Sequence, residues 1–537
     1  MSIPNSEANI CFFRELTFSF LPATPQVMEV KRKLVRAAGI YTLGILVSRI
    51  LGVGREIAIA NFLGTGTVAD AFFVAFRLPN LWRRLFAEGT LSIVFVPVFT
   101  EQLLKTKAEA IRLTRIVITI LGSILLGLSL LGVIFAPWLV KLIAPGFSKI
   151  TFKFLLTVNL TRIMFPYVFF ICLTALFIAI LNSLGYFAAP AFCYAFLNIS
   201  MIASLLIAYA LKLSAVYCLA IGVIVGGILQ LSLQLPFLLK EGISLKPLFQ
   251  THPALKRIFI LMGPAVIGAT VYQLSIFINT ILASFLPEGS ISYLYYADRI
   301  VQFPLALFAF SFGTASLPTL SAQVVKNDYQ SFKNTFCFSL QTVFFFILPA
   351  SIALIILGDT VISVLLQRGA FSHASTQATF QALIFYAFGL PFFSALRLLT
   401  TAFYAFQDTK TPVKISLICL ILNIIIGFIL MHPLKHAGLA LATSIVSAIN
   451  VFLLIYFLKK KVRQLFMTTF WQALIKTTIA SLVMGLVLWQ LKSFMIKSWL
   501  VLISGIPTGI VTFFLLASML GCSEMNIIKE KVCKREK

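Results

Sequence analysis

Charged side chains recur inside stretches of this sequence that are otherwise apolar. The first apolar run holds Ser48-Arg49 and Gly54-Arg55-Glu56, the second holds Asp70, Arg77, Arg83, Arg84 and Glu88, and the eighth holds Asp298-Arg299. A charge at the centre of a membrane helix costs from about 2.5 to over 10 kcal/mol, depending on how it is measured. Several arginines in two such helices therefore need a water-filled cavity, partners, or both. At about 100° per residue, Arg77, Arg84 and Glu88 share one helix face, and Glu88 can neutralise Arg84 four residues away. Arg49 and Glu56 also share a face, while Arg55 points roughly 120° from Arg49. Gly52 and Gly54 between them would permit a bend, and Pro79 would do the same in the second run. Arg49, Arg55, Arg83 and Arg299 are left without a local partner. Arginine presents a fork of donors that fits phosphate bidentately, and it never deprotonates. Holding a pyrophosphate beside a membrane cavity is the chemistry this set suggests. A cationic drug would need carboxylates and aromatics instead. A fixed ion-pair network that only holds two halves together is the competing reading, and Arg36 and Arg115, at run ends, fit a snorkelling role.

The elements that must position these residues are membrane helices. The chain of 537 residues is 60% hydrophobic and 11% charged, with mean hydropathy +1.00. Its apolar runs of about 20 residues each match a ~30 Å hydrocarbon core. They are continuous, as in ILGSILLGLSLLGVIFAPWLV, where β-barrel spans would be short and alternating. The expected fold is an all-α polytopic membrane protein of about fourteen transmembrane helices, including runs near 36–62, 70–100, 413–431 and 436–458. The net charge of +26 does not point to nucleic acid, because Lys and Arg cluster in alternate short loops and in the tail. By the positive-inside rule those loops and both termini are cytoplasmic. Met28, followed by EVKRKLVRAAG, would make a sensible cytoplasmic start, so residues 1–27 carry no expectation about the fold. The eight cysteines are scattered and the four histidines lie in or near loops. No metal spacing, catalytic triad, phosphate loop or dinucleotide fingerprint is present. A transporter is expected rather than an enzyme, without metal or cofactor.

The chain also repeats itself. NFLGTG at 61–66 returns as SFLPEG at 284–289, an offset of 223 residues. Arg77 and Arg299 lie 222 apart, Gly146 and Gly369 lie 223 apart, and Pro190 and Pro412 lie 222 apart. Six spans separate the copies, so both have the same topology, with a site expected between them near the midplane. This divides the chain into an extension (1–33), a first six-helix lobe (34–240), a second (241–460), two further helices (461–521) and a basic tail (522–537).

At these residues the sequence resembles the MurJ (MviN) lipid II flippase family, within the multidrug/oligosaccharidyl-lipid/polysaccharide exporter group. The stretch SRILGVGREIAIANFLGTGTVADAFFVAFRLPNLWRRLFAEGTLSIVFVPVF (48–99) looks like that family's N-terminal signature. MGPAVIG, INTILASFLPEGSISYLYYADRIVQFP, LPTLS, QRGAF and FQDTKTPVK agree with it. The resemblance implies transport of undecaprenyl-pyrophosphate-linked peptidoglycan precursor across the bacterial inner membrane, with lipid II and membrane lipids as partners and cell-wall synthesis or division proteins as further ones. It places the family's essential cavity residues on Arg49, Arg55, Arg83, Arg299 and Asp70. Ser48, Ala60 and Ser292 fall on cavity-lining positions, Glu88 on another polar cavity position, and Arg77 on a basic one. It implies a lipid-tail groove in the last two spans. Some members bind Na⁺ through carboxylates in the second lobe, but spans 7, 11 and 12 here have no Asp or Glu. Asn279 or Asn423 alone would be weak ligands for a hard cation, which argues against a Na⁺ site. Alternating access driven by membrane potential follows, with Asp70 gating the outer side by pairing with an arginine. An exporter of another lipid-linked oligosaccharide, a drug/cation antiporter and a non-transporting scaffold are the alternatives.

Overall fold

Lipid offers no hydrogen bonds, so a backbone that crosses it must pair within its own segment. The computed structural model describes residues 25–83, 90–463, 465–466, 468–495, 497–522 and 524–525, with backbone alone at 25–38, 90–93, 259, 261 and 263–272. Every element among these residues is helical. Ten helical segments are long and apolar enough to cross a membrane, and the chain is a multi-pass membrane protein.

The first lobe contains α1 (Pro25–Leu63), α2 (Thr67–Trp82), α3 (Thr90–Lys105), α4 (Lys107–Ile134), α5 (Ala136–Ile143), α6 (Thr151–Met164), α7 (Tyr167–Ser183), α8 (Ala188–Ala210), α9 (Ala215–Ser232) and α10 (Leu235–Lys240). The second contains α11 (Pro253–Ser284), α12 (Ser290–Pro304), a π-helical turn (Leu305–Phe310), α13 (Ser311–Val325), α14 (Tyr329–Leu366), α15 (His373–Ala405) and α16 (Lys410–Lys461). α17 (Thr468–Phe494) and α18 (Ser498–Met519) pack on α14 through Phe345, Leu357, Met484, Leu488 and Phe513. Lys492 of α17 adds hydrogen bonds of 2.6 and 2.7 Å to the Asp359 carboxylate.

The run at 70–100 contains α2 and α3, and its residues 84–89 lie outside the described ones. Within Lys410–Lys461 the runs at 413–431 and 436–458 are two helices, as expected, separated at Lys435 (φ 50, ψ −131), two residues after Pro433. α1 continues unbroken through Gly52 and Gly54. A nearby glycine, Gly44, instead serves close packing: a Cβ there would lie 2.7 Å from that of Ala191 on α8.

The bundle has two distinct ends. One carries the turns after α1, α5, α11 and α14 and is called the sealed end. The other carries the Lys- and Arg-bearing loops after α3, α10 and α16 and is called the basic end. The largest buried apolar cluster spans both lobes and includes Phe72, Phe73, Tyr296 and Phe371.

Candidate functional site

The sealed end is built from repeat-equivalent residues that meet. Ser292 is the counterpart of Asp70 at the offset of Arg77 and Arg299, and Tyr295 is the counterpart of Phe73. Asp70 Oδ1 accepts from the Ser292 amide at 2.9 Å and from its hydroxyl at 2.7 Å. The Phe73 and Tyr295 rings stack with centroids 3.9 Å apart. α2 and α12 therefore meet on the pseudo-two-fold axis, with one contact per turn at Asp70–Ser292 and Phe73–Tyr295. Flanking contacts are reciprocal, as an isologous interface requires. Gly369 packs against Asn61, and Gly146 packs against Ser284, the counterpart of Asn61. A Cβ at either glycine would collide with the facing carbonyl. Ala370 N donates to Asn61 O at 2.8 Å, and Gly146 N to Ser284 Oγ at 3.0 Å.

Asp70 is the charged centre of this seal and is 1% exposed. Besides Ser292 it accepts from Gly289 N at 2.9 Å, so it caps the N-terminus of α12 from the opposite lobe. Gly289 holds φ 84 at that position, which a side chain would disfavour. The ionic partner of Asp70 is Lys153 of α6, at 2.8 Å, and not an arginine as expected. Lys153 also sits 4.2 Å from the Phe147 ring centroid. Ala60 and Ser292 are both fully buried in the seal.

Below the seal the lobes enclose a charged cluster. Glu56 pairs with Arg55 and accepts from Tyr295 Oη of the second lobe at 3.0 Å. Arg55 Nη1 donates to Asn198 Oδ1 on α8 at 2.9 Å. The Asn198 amide donates to Ser48 O at 3.0 Å, so one side chain braces α1 at two turns. Arg299 lies over the Tyr295 ring, 4.8 Å from its centroid. It is within electrostatic reach of both Arg55 and Arg77. Arg77 donates to Thr280 and to Ile276 O (3.4 Å) on α11, again across the lobes. Arg83 Nε donates to Asn80 Oδ1 at 3.1 Å, and Arg83 and Arg55 both lie within reach of Tyr167. Arg49 is exposed, with no ion pair among the described residues. Arg84 and Glu88 lie outside the described residues. The structure thus gathers Arg55, Arg77 and Arg299 but leaves Arg49 apart.

The resemblance's Na⁺ site can be tested on the donor set. Asn279 donates to Thr443 Oγ1 at 3.0 Å, and Asn423 donates to Asn279 Oδ1 at 2.8 Å. These neutral groups satisfy one another, and only Asn423 Oδ1 is buried without a partner among them. A hard cation needs several oxygen ligands, so this set does not fit one.

At the basic end the lobes meet through solvated charges. Arg257 donates to Glu101 at 2.7 Å with 60% and 44% side-chain exposure, and His252 Nε2 lies 3.4 Å from Glu109. Exposed pairs like Arg257–Glu101 contribute little, whereas the sealed end joins the lobes through buried apolar contacts and buried hydrogen bonds. The basic end is therefore the easier to open. At the sealed end, Thr65 and Ser375 hydroxyls of opposite lobes lie 2.5 Å apart. Thr65→Cys with Ser375→Cys is expected to cross-link and stop transport until a reductant is added. Full transport by the cross-linked protein would show that this end does not move.

The comparisons with known proteins agree with this geometry. The model of the family described as lipid II flippase MurJ matches residues 59–507. A lipid II flippase MurJ from Burkholderia cenocepacia is 38% identical over 441 residues, covering 81% of this chain and 84% of the relative. A solved lipid II flippase MurJ in an inward closed conformation superposes with TM-score 0.77 at 29% identity, covering 89% of this chain and 98% of that one. A multidrug resistance transporter of the MATE family and MOP superfamily, inward-facing, shares the fold with TM-score 0.66 at 13% identity, over 80% of this chain and 98% of the other. The chain belongs to the lipid II flippase MurJ family.

Proposed function

We propose that the chain carries lipid II from the cytoplasmic to the periplasmic leaflet of the bacterial inner membrane by alternating access. The basic end faces the cytoplasm, and both termini lie there. The observation that carries this reading is a pair of guanidinium donors on opposite lobes. Arg55 Nε and Arg299 Nε are both buried without a hydrogen-bond partner. A buried N–H left unpaired is costly, and a pyrophosphate entering between the lobes satisfies both. Arg49, exposed two turns from Arg55 on the way to the basic end, and Arg83 receive the anion before it reaches them. The lipid tail stays in the bilayer or in a groove along α17 and α18.

Release requires the α2–α12 seam to part, taking Asp70 from Ser292 and Gly289 while Lys153 keeps it neutralised. An anion leaving a negative interior gains about 2.3 kcal/mol per charge per 100 mV. Membrane potential therefore supplies the drive, and the neutral Asn279–Asn423–Thr443 network takes no part in it. Expression in a bacterium depleted of its own flippase is expected to restore growth, equally well when K⁺ replaces Na⁺ in the medium. No rescue by correctly inserted protein would contradict the function. Rescue only with Na⁺ would contradict the drive.

A further inference from the structure

We propose that Glu56 is a specificity-determining residue that reads the sugar joined to the pyrophosphate, accepting a hydrogen bond from an N–H or O–H beside the phosphates. This rests on the flippase reading above. Glu56 Oε1 is engaged by Arg55 and by Tyr295 Oη. Its Oε2 is buried and accepts from nothing among the described residues. Around it, Arg55 Nε and Arg299 Nε are buried donors in the same condition. Unpaired buried polar atoms are uncommon and call for an explanation, and here one acceptor and two donors share one cluster.

The ligand that completes this set is defined by elimination. A bare pyrophosphate satisfies both donors but repels Glu56 and leaves Oε2 empty. A cation satisfies Oε2 but opposes Arg55, Arg77 and Arg299. A head group that presents anionic oxygens with a neutral donor next to them satisfies all three atoms. The sugar attached to the pyrophosphate of lipid II has that arrangement, with an acetamido N–H on the carbon beside the linkage. Glu56 is not needed to hold Arg55 in place, because Asn198 grips its Nη1 at 2.9 Å from the other side. Removing the carboxylate therefore leaves the phosphate donors aimed.

The test compares two ligands on the purified full chain, lipid II and undecaprenyl pyrophosphate, the second lacking the sugar donor. Glu56→Gln keeps one acceptor for Tyr295 and puts an N–H where Oε2 stood. It is expected to weaken lipid II binding by at least about tenfold, the scale of one hydrogen bond to a charged group. Undecaprenyl pyrophosphate should bind as tightly as before or more tightly. An equal change for both ligands, or none for either, overturns the proposal. Where the variant is unstable, the wild type is measured with a head group whose acetamido nitrogen is methylated: a similar loss supports the reading, and full affinity overturns it. If the wild type binds no lipid II, the flippase reading itself fails.

Discussion

Arg55→Ala is expected to abolish rescue of flippase-depleted cells while the protein accumulates in the membrane at the wild-type level. The residue is gripped by Asn198 on α8 and paired with Glu56 on its own helix. It is therefore preorganised, and its Nε is buried without a hydrogen-bond partner among the described residues. Truncation breaks the Arg55–Glu56 pair, while Glu56 keeps its hydrogen bond from Tyr295, so the level of inserted protein is measured beside growth. Arg55→Lys separates charge from shape. Lysine preserves the positive charge but offers no planar fork, so flipping should fall by at least about tenfold. Wild-type flipping by the lysine variant would show that charge alone suffices and would favour a merely structural ion-pair network. Growth under depletion, lipid II exposure and immunoblotting of membranes distinguish these outcomes.

The second large effect is expected at Asp70. Asp70→Ala strands Lys153, whose side chain is 4% exposed. It also removes three of the hydrogen bonds that join the start of α12 to the first lobe. Breaking a buried ion pair from one side costs about 3–5 kcal/mol, so the variant should melt well below the wild type in detergent. Adding Lys153→Met removes the stranded charge and should recover much of that loss. It should not recover transport, because the cap on α12 is still missing. The second substitution thereby separates folding from gating. If Asp70→Ala melts like the wild type, the pair is not buried as described here. If the double variant transports normally, the cap is not part of the gate.

Much of the architecture is legible in the sequence, because lipid forces it. Continuous apolar runs leave helix as the one backbone solution, and the offset between Arg77 and Arg299 reveals the two lobes. The contacts that matter most are less legible, since they pair residues far apart in the chain. Nothing local to Asp70 announces Lys153, which lies 83 positions away. Asn198 is a lone amide in an apolar run, and its position opposite Ser48 and Arg55 depends on how α1 packs on α8. A buried polar residue in a membrane helix is nonetheless a signal that could have been followed. Helical phase misassigned Arg55 as unpartnered. Adjacent residues project about 100° apart, yet the long side chains of Arg55 and Glu56 curl toward each other. The helix is not interrupted at Gly52 and Gly54, and Asn198 spans that stretch with bonds to Ser48 and Arg55. The repeat gave the offset between α2 and α12, but only the fold shows that Asp70 and Phe73 meet their own counterparts.

The proposed route of lipid II between leaflets runs through the arginine cluster between the two lobes. The most direct measurement uses liposomes holding lipid II and the purified full chain. A membrane-impermeant reagent reads how much lipid II the outer leaflet exposes over time. The wild type is expected to bring inner-leaflet lipid II into reach, faster with an imposed potential that is negative on the cytoplasmic side, while the Arg55→Ala protein does not. Identical exposure with and without the wild-type protein would contradict the account.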